Sequence, residues 1–354
     1  MEKQENGALV GHGASSLPSV VIDSYNLEIR DKNGFIGDRA SKSAFREKLD
    51  EWRKRVRKGG SDPLGDAPTK DFTSGQIDKF LKGDDKEAAA MVIGAIDEFA
   101  ADLAHVLQRF LKEDSWKNTE RIVVGGGMKE SEFGELAIAR AMILMKAEGK
   151  AIELVPIVHH PDEAGLIGAA HLMPAWMLDG YHGIVAVDIG GTNIRAGVVE
   201  TRLKDKPDLS KARVWKSELW RHADDAPARG ATIERLSEML KKLISQAEKE
   251  KLSLAPVIGV ACPGIVEPDG SIARGGQNLP GGNWESERFN LPQELVKAIP
   301  TIGKHETFVI VHNDGVVQGL SQIPFMQDVK RWGVVTIGTG LGNARFTNRN
   351  GHDD

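Results

Sequence analysis

Apolar positions recur with three-and-four spacing most clearly between Asp84 and Leu111. Val92, Ala95, Ile96, Phe99, Leu103, Val106, Leu107 and Phe110 fall on one face there. That spacing predicts a helix, with Asp84 or Asp85 as its cap. Ser41 to Arg57, Glu130 to Ala147 and Thr232 to Glu250 also read as helices, and Ala164 to Leu172 as a helix of small residues able to pack closely. Short apolar runs between them read as strands: Ser19 to Asp23, Arg121 to Val124, Ile152 to Val158, Ile184 to Val187, Ile194 to Val199, Val257 to Ala261 and Thr307 to Val311. Gly333 to Phe346 reads as strand, glycine turn, strand. Gly59 to Thr73, rich in Gly, Pro and Asp, is a loop. Strands alternating with helices predict an α/β architecture.

Two strand-turn-strand segments resemble each other. Val185-Ala186-Val187-Asp188-Ile189-Gly190-Gly191 is matched by Val334-Val335-Thr336-Ile337-Gly338-Thr339-Gly340. A half-fold used twice explains this, and the distance between the copies is far too long for a solenoid.

The 354 residues suggest about two or three folding units. The formal charge of -5 argues against a nucleic-acid surface. Cys262 is alone, which excludes an internal disulfide and a cysteine-rich zinc site and suits a reducing, cytoplasmic setting. No apolar run approaches the ~18 residues of a membrane span. Residues 1–17 are polar and rich in small residues, without the apolar core of a signal peptide, and are expected to form a flexible tail.

The glycine turns carry the candidate chemistry. Without side chains, backbone N–H groups can approach a phosphate. Gly190, Gly191, Thr192 and Asn193 form one such turn, and Gly338, Thr339 and Gly340 the other, with hydroxyls from Thr192 and Thr339. Asp188, at the end of the first strand, is placed to hold Mg²⁺ through water. Either turn alone is equally well read as an ordinary hairpin; two of them with an acid in place favour phosphate. Gly125-Gly126-Gly127, between a strand and a helix, can lie against an adenosine, although a tight turn alone would explain it. Neither the GxGxxG spacing nor a P-loop occurs.

Asn313-Asp314 follows a strand. Phosphoryl transfer to a hydroxyl needs a carboxylate within hydrogen-bonding reach, and Asp314 suits that base role while Asn313 can bind a neighbouring hydroxyl. The ordinary alternative is that Asp314 caps a helix. Asn278-Leu279-Pro280 with Trp284 offers an amide and an aromatic wall for a sugar; the alternative is a surface loop anchored by one Trp.

These residues resemble the ROK family of sugar kinases and regulators. Asp188 to Gly197 is similar to its first phosphate motif, and Gly338-Thr339-Gly340-Leu341-Gly342 to its second. Asn313-Asp314 resembles its catalytic pair. Pro263-Gly264, Gly270, Asn278-Leu279-Pro280 and Trp284 resemble the segment supplying a sugar-binding Asn. Gly125-Gly126-Gly127 and Gly165-Leu166-Ile167-Gly168-Ala169-Ala170 resemble its late segments. The late segments come first here, so the resemblance implies a circularly permuted chain, old ends joined near Met173 to Tyr181. It implies a two-lobed, actin-like ATPase fold of the ribonuclease H type. Residues 18–175 would form a lobe like the family's C-terminal half, 181–314 one like its N-terminal half, and 315–354 would complete the first lobe.

Three departures concern the sugar side. The family's Glu-x-Gly-His motif is absent; Gly11-His12 and Gly351-His352 lack the Glu. Asn26 to Gly37 stands where a zinc loop normally lies, with Gly34 to Ser41 where a sugar-contacting Glu normally sits. Gly315-Val316-Val317 replaces polar residues. The resemblance implies an ATP- and Mg²⁺-dependent carbohydrate kinase, glucokinase-like and homodimeric, with Asp314 as base. A sugar sensor without a DNA-binding module is the alternative, and an actin-like filament a third, weighed against by the intact Asn313-Asp314 pair.

Overall fold

The computed structural model describes residues 11–150, 152–277 and 279–349. In chain order its principal elements are β1 (Val20–Tyr25), α1 (Lys42–Arg57), α2 (Lys86–Phe110), β2 (Arg121–Gly125), α3 (Glu132–Ala147), β3 (Glu153–Pro156) and α4 (Pro161–Ala169). Next come β4 (Gly183–Ile189), β5 (Ile194–Glu200), β6 (Arg213–Trp220), α5 (His222–Asp225), α6 (Arg229–Lys249) and β7 (Leu254–Cys262). The last are α7 (Leu291–Ala298), β8 (Phe308–Asn313), α8 (Asp314–Leu320), β9 (Arg331–Ile337) and β10 (Leu341–Asn348). They form two compact units. The first takes the residues up to Asn26, Asp162–Lys330 and those from Phe346 on; the second takes Leu27–Pro161 and Arg331–Arg345.

In the second unit the strands lie in the order β10-β9-β2-β3, with β9–β2 and β2–β3 parallel. The apolar face foreseen on α2 is its fastening: Val92, Ala95, Ile96, Phe99, Leu103, Val106, Leu107 and Phe110 are each no more than 1% exposed. Burying a large side chain of this kind is worth roughly 1.5–3 kcal/mol. Asp85, not Asp84, caps the helix, accepting from the Glu87 and Ala88 N–H groups at 2.9 and 3.0 Å. Phe45 of α1 stacks on Phe133 of α3 at 4.4 Å and meets Phe99 edge-on at 5.9 Å, locking the three helices together. The expected loop after α1 is tied down by Arg53, buried and donating to Asp62, Thr69 and the Gly65 carbonyl at 2.7–2.8 Å.

The first unit holds a sheet in the order β6-β5-β4-β7-β8. β4–β5 and β5–β6 are antiparallel, β4–β7 and β7–β8 parallel. Every residue of β4 is buried. Leu236, Leu240 and Leu243 of α6 share one core with Val185, Val187 and Ile258. The small residues of α4 permit close approach: a Cβ on Gly259 would lie 2.9 Å from the Ala169 Cβ, and one on Gly168 only 1.8 Å from the Val317 carbonyl oxygen. This packing places α4 in the first unit, whereas the sequence grouped it with the lobe of residues 18–175. The end of β10 also belongs to the first unit, beside β1, where Thr347 Oγ1 donates to Asp23 at 2.8 Å.

The order β10-β9-β2-β3 repeats β5-β4-β7-β8, which is the half-fold used twice. Numbered from the hairpin strand that bears Asp188, the first sheet reads 3-2-1-4-5, the strand order of the ribonuclease H-like, actin-like ATPase fold. The chain is accordingly a mixed α/β protein of that class. β6 escaped the sequence reading because it is an edge strand whose Lys216, Ser217 and Glu218 interrupt any apolar alternation.

The flexible tail expected over residues 1–17 is overturned for its described part. Gly13 N–H donates to the Val311 carbonyl at 3.0 Å, His312 donates to the Ala14 carbonyl at 3.2 Å, and Leu17 is 1% exposed. β8 is the edge of its sheet, and these residues satisfy backbone groups it would otherwise leave open. Residues 1–10 lie outside the described part. Among the described residues no helix is long and apolar enough to cross a membrane.

Candidate functional site

In the first unit two carboxylates close the C-terminal ends of strands flanking β7. Asp188 lies opposite Ala261, and Asn313, just before Asp314, opposite Cys262. Asp188 is 3% exposed. The hairpin register sets Arg195 directly across from it, with Nη1 3.7 Å from Asp188 Oδ2. Arg195 is itself held by Asp162 at the start of α4, to which its Nε donates at 2.8 Å. Gly165 lets α4 cover the carboxylate, since a Cβ there would sit 2.7 Å from Asp188 Cγ. This burial raises the Asp188 pKa, with Arg195 opposing and Asp162 adding to the rise.

Asp314 begins α8, but the cap is Asn313, whose Oδ1 accepts from Val316 N–H at 3.2 Å. The ordinary reading of Asp314 as the cap therefore falls to its neighbour. Asp314 Oδ1 accepts from Gly315 N–H at 2.9 Å. Burial, and then the charge of Asp188, push the Asp314 pKa up to about 6 against the pull of backbone N–H groups. A carboxylate poised there is ionised near neutrality and basic enough to take a proton. Cys262, beside both acids, has its thiol raised well above its usual value by burial and by the two negative charges, and is inert as a nucleophile.

The turn from Gly190 to Asn193 is closed by Gly190 N–H donating to the Asn193 carbonyl at 2.8 Å. The remaining N–H groups of the turn, on Gly191, Thr192 and Asn193, have no acceptor among the described residues. Two of its carbonyls are engaged from outside: His222 Nε2 meets the Gly190 oxygen at 2.8 Å and Ala223 N–H the Thr192 oxygen at 3.2 Å. A row of free N–H groups is a nest for an anion. The buried Asn193 Oδ1 has no hydrogen-bond partner among the described residues. As an acceptor it suits a donor such as a metal-bound water, so the residues present fit hydrated Mg²⁺ beside phosphate.

In the second unit the turn of Gly338, Thr339 and Gly340 is closed by Gly338 N–H on the Gly340 carbonyl at 2.9 Å, and Lys42 N–H binds the Gly338 carbonyl at 2.9 Å. A Cβ on Gly340 would meet nothing within 4 Å. Gly125 is buried in β2. Gly126 has φ +92°, and a Cβ there would lie 2.2 Å from the Ile337 carbonyl oxygen, so the turn itself demands glycine. Gly127 faces open space. The tight-turn explanation thus accounts for Gly126 and leaves Gly127 unexplained.

The expected sugar residues are differently placed. Asn278 and His352 lie outside the described residues. Trp284 is 1% exposed, its Nε1 donating to the Pro280 carbonyl at 2.7 Å and its ring set edge-on against Phe289 at 5.2 Å. It is a core residue and not the aromatic wall the sequence suggested. Asn313 is 3% exposed, and its Nδ2 donates to the Gly264 carbonyl at 2.9 Å, so both ends of its amide serve the fold. His12 is a fold residue too, its Nδ1 accepting from Val311 N–H at 3.2 Å. The sequence reading passed over Arg195, Asp162 and His222. Hairpin register alone could have found Arg195, which must face Asp188 across a four-residue turn. Nothing local marks the other two.

No protein-family model matches the chain, and no curated protein does. Among solved structures, it is similar to a Listeria monocytogenes protein assigned as an N-acetylmannosamine kinase (26% identity, TM-score 0.32, 47% of each chain covered). It is also similar to a ROK hexokinase from Thermus thermophilus (23%, 0.28, 46% of this chain and 45% of that one) and to a Cytophaga hutchinsonii protein assigned as a sugar kinase (18%, 0.36, 47% and 48%). The chain spans about half the length of each.

Proposed function

We propose that the protein is an ATP-dependent sugar kinase in which Asp314 removes the proton from the attacking hydroxyl. The observation that carries this reading is the pair of carboxylates. Asp188 ends β4 next to the glycine turn, and Asp314 follows β8 with its capping duty taken by Asn313 and its pKa raised to about 6. Phosphoryl transfer asks little else of a protein than positioning and charge neutralisation. The free N–H groups of Gly191, Thr192 and Asn193 hold phosphate oxygens. Asp188 and Asn193 Oδ1 would hold hydrated Mg²⁺, which would supply neutralisation of charge on the transferred group. Within the second unit, the turn of Gly338, Thr339 and Gly340 is suited to a phosphate and Gly127 offers open backbone suited to an adenosine; the exposure of both supports this reading. Asp314 accepts the proton of a hexose-type hydroxyl as that oxygen bonds to the γ-phosphorus of ATP and the bond to the β–γ bridging oxygen breaks, with ADP as the leaving group.

The threading is part of the proposal. β9 and β10 would come first in a chain ordered like the first unit, but here they follow every other strand, while β1 lies beside the end of β10 where a third strand belongs. That order supports a circular permutation with its joint in the connection from Met173 to Tyr181, where Trp176 is 57% exposed and Met173 and Leu178 are buried.

The test is a coupled ADP-release screen with hexoses and N-acetylhexosamines, run with the wild type and Asp314→Asn. Turnover with one sugar that the substitution abolishes, nucleotide binding being kept, is the expected result. Turnover surviving in Asp314→Asn refutes the mechanism; no turnover with any sugar favours the sensor.

A further inference from the structure

Resting on the phosphate-binding reading above, we infer that His222 is a positioning residue that sets the orientation of the phosphate turn. A turn of four residues can point either carbonyls or N–H groups toward a ligand, and only the second attracts phosphate. Here the carbonyls of Gly190 and Thr192 are held by His222 Nε2 (2.8 Å) and Ala223 N–H (3.2 Å), both from the start of α5. The N–H groups of Gly191, Thr192 and Asn193 are left without acceptors among the described residues. Because a carbonyl oxygen only accepts, Nε2 must carry the proton in this contact.

The grip is built, not incidental. His222 is 3% exposed, and its ring meets Trp220 edge-on at 6.1 Å. Trp220 Nε1 donates to Asp225 at 2.7 Å. Arg235 of α6 donates to the same carboxylate at 2.9 Å and lays its guanidinium over the Trp220 ring at 4.3 Å. The short α5 is thereby fixed to β6 at one side and α6 at the other, and it presents His222 to the turn from a rigid base. His222 never reaches the ligand; it acts through Gly190.

The discriminating pair is His222→Gln against His222→Asn. The Gln amide nitrogen falls where Nε2 was, while the shorter Asn reaches only the Nδ1 position. Both are polar and smaller than His, so folding costs are matched, and thermal midpoints of the full chain check this. The readouts are the dissociation constant for Mg-ADP by titration calorimetry, and KM for ATP against KM for the sugar. His222→Asn should weaken nucleotide binding and raise the ATP KM by about fivefold to tenfold, the worth of roughly one hydrogen bond. Sugar KM should stay unchanged and His222→Gln should remain within about twofold of wild type. An Asn variant that binds like wild type, or a Gln variant as weak as Asn, overturns the role of His222 alone. Absence of Mg-ADP binding to the wild type overturns the phosphate reading beneath it.

Discussion

Replacing Asp314 by Asn removes a charge the fold buries while keeping its shape and an oxygen for the Gly315 N–H. The carboxyl rises from an ordinary 3.8 to about 6, chiefly by burial and then by the Asp188 charge. A rise of that size is worth ~3 kcal/mol; with the side chain partly exposed, ~2 kcal/mol is the expected penalty. The sign follows from linkage. Below pH 3.8 the group is neutral folded and unfolded and costs nothing; the penalty grows as pH rises and is complete above about 6. Asp314→Asn should therefore match wild type near pH 4 and be more stable at pH 8, by ~4–8 °C for a unit of this size. Differential scanning calorimetry across that range measures it, and the ADP-release assay on the same samples should show activity lost. A midpoint gain equal at pH 5 and pH 8, or a variant less stable at pH 8, would refute the argument that this carboxylate is held charged against its environment.

Three further outcomes follow from the same geometry. In the wild type, kcat/KM should fall as pH drops through about 6, where Asp314 takes up a proton; a pH–rate profile flat to pH 5 contradicts a base of that pKa. His312, lowered to about 4 by burial, contributes stability that is present above pH 6.5 and lost as pH falls through about 4, on the order of 3 kcal/mol. His312→Gln should flatten this acid limb in urea midpoints measured from pH 7 to 4. Gly126→Ala should destabilise by ~2–4 kcal/mol, because its φ of +92° and the Ile337 carbonyl at 2.2 Å leave no room, whereas Gly127→Ala should change stability by less than ~0.5 kcal/mol; equal urea midpoints for the two would contradict this packing.

Elements with strong periodicity were legible before the fold was known. α2 was found with most of its buried face, because eight apolar residues at helical spacing leave one solution; Ala88, Met91, Ala100 and Ala104 complete that face. The two hairpins were found because glycine between apolar runs has few uses. β6 was not, since Lys216 and Glu218 sit on a strand bordered by one neighbour and need no apolar alternation. Residues 11–17 were misread for a related reason: small and polar, they earn their order from the free edge of β8, which no local pattern records.

By itself the sequence determined the chemistry on offer: an acid beside a glycine turn, a second such turn, and an Asn-Asp pair after a strand. Residue type and spacing suffice for that, because the turn and the strand end are local. Only the tertiary structure decided which groups were free to act. It gave the helix cap to Asn313 and left Asp314 with a raised pKa. It withdrew Trp284 into the core, and set Arg195 and Asp162 behind Asp188 and His222 behind Gly190. Burial, hydrogen-bond partners and charge at a distance belong to packing between segments far apart in the chain, so they become readable only once the segments are packed.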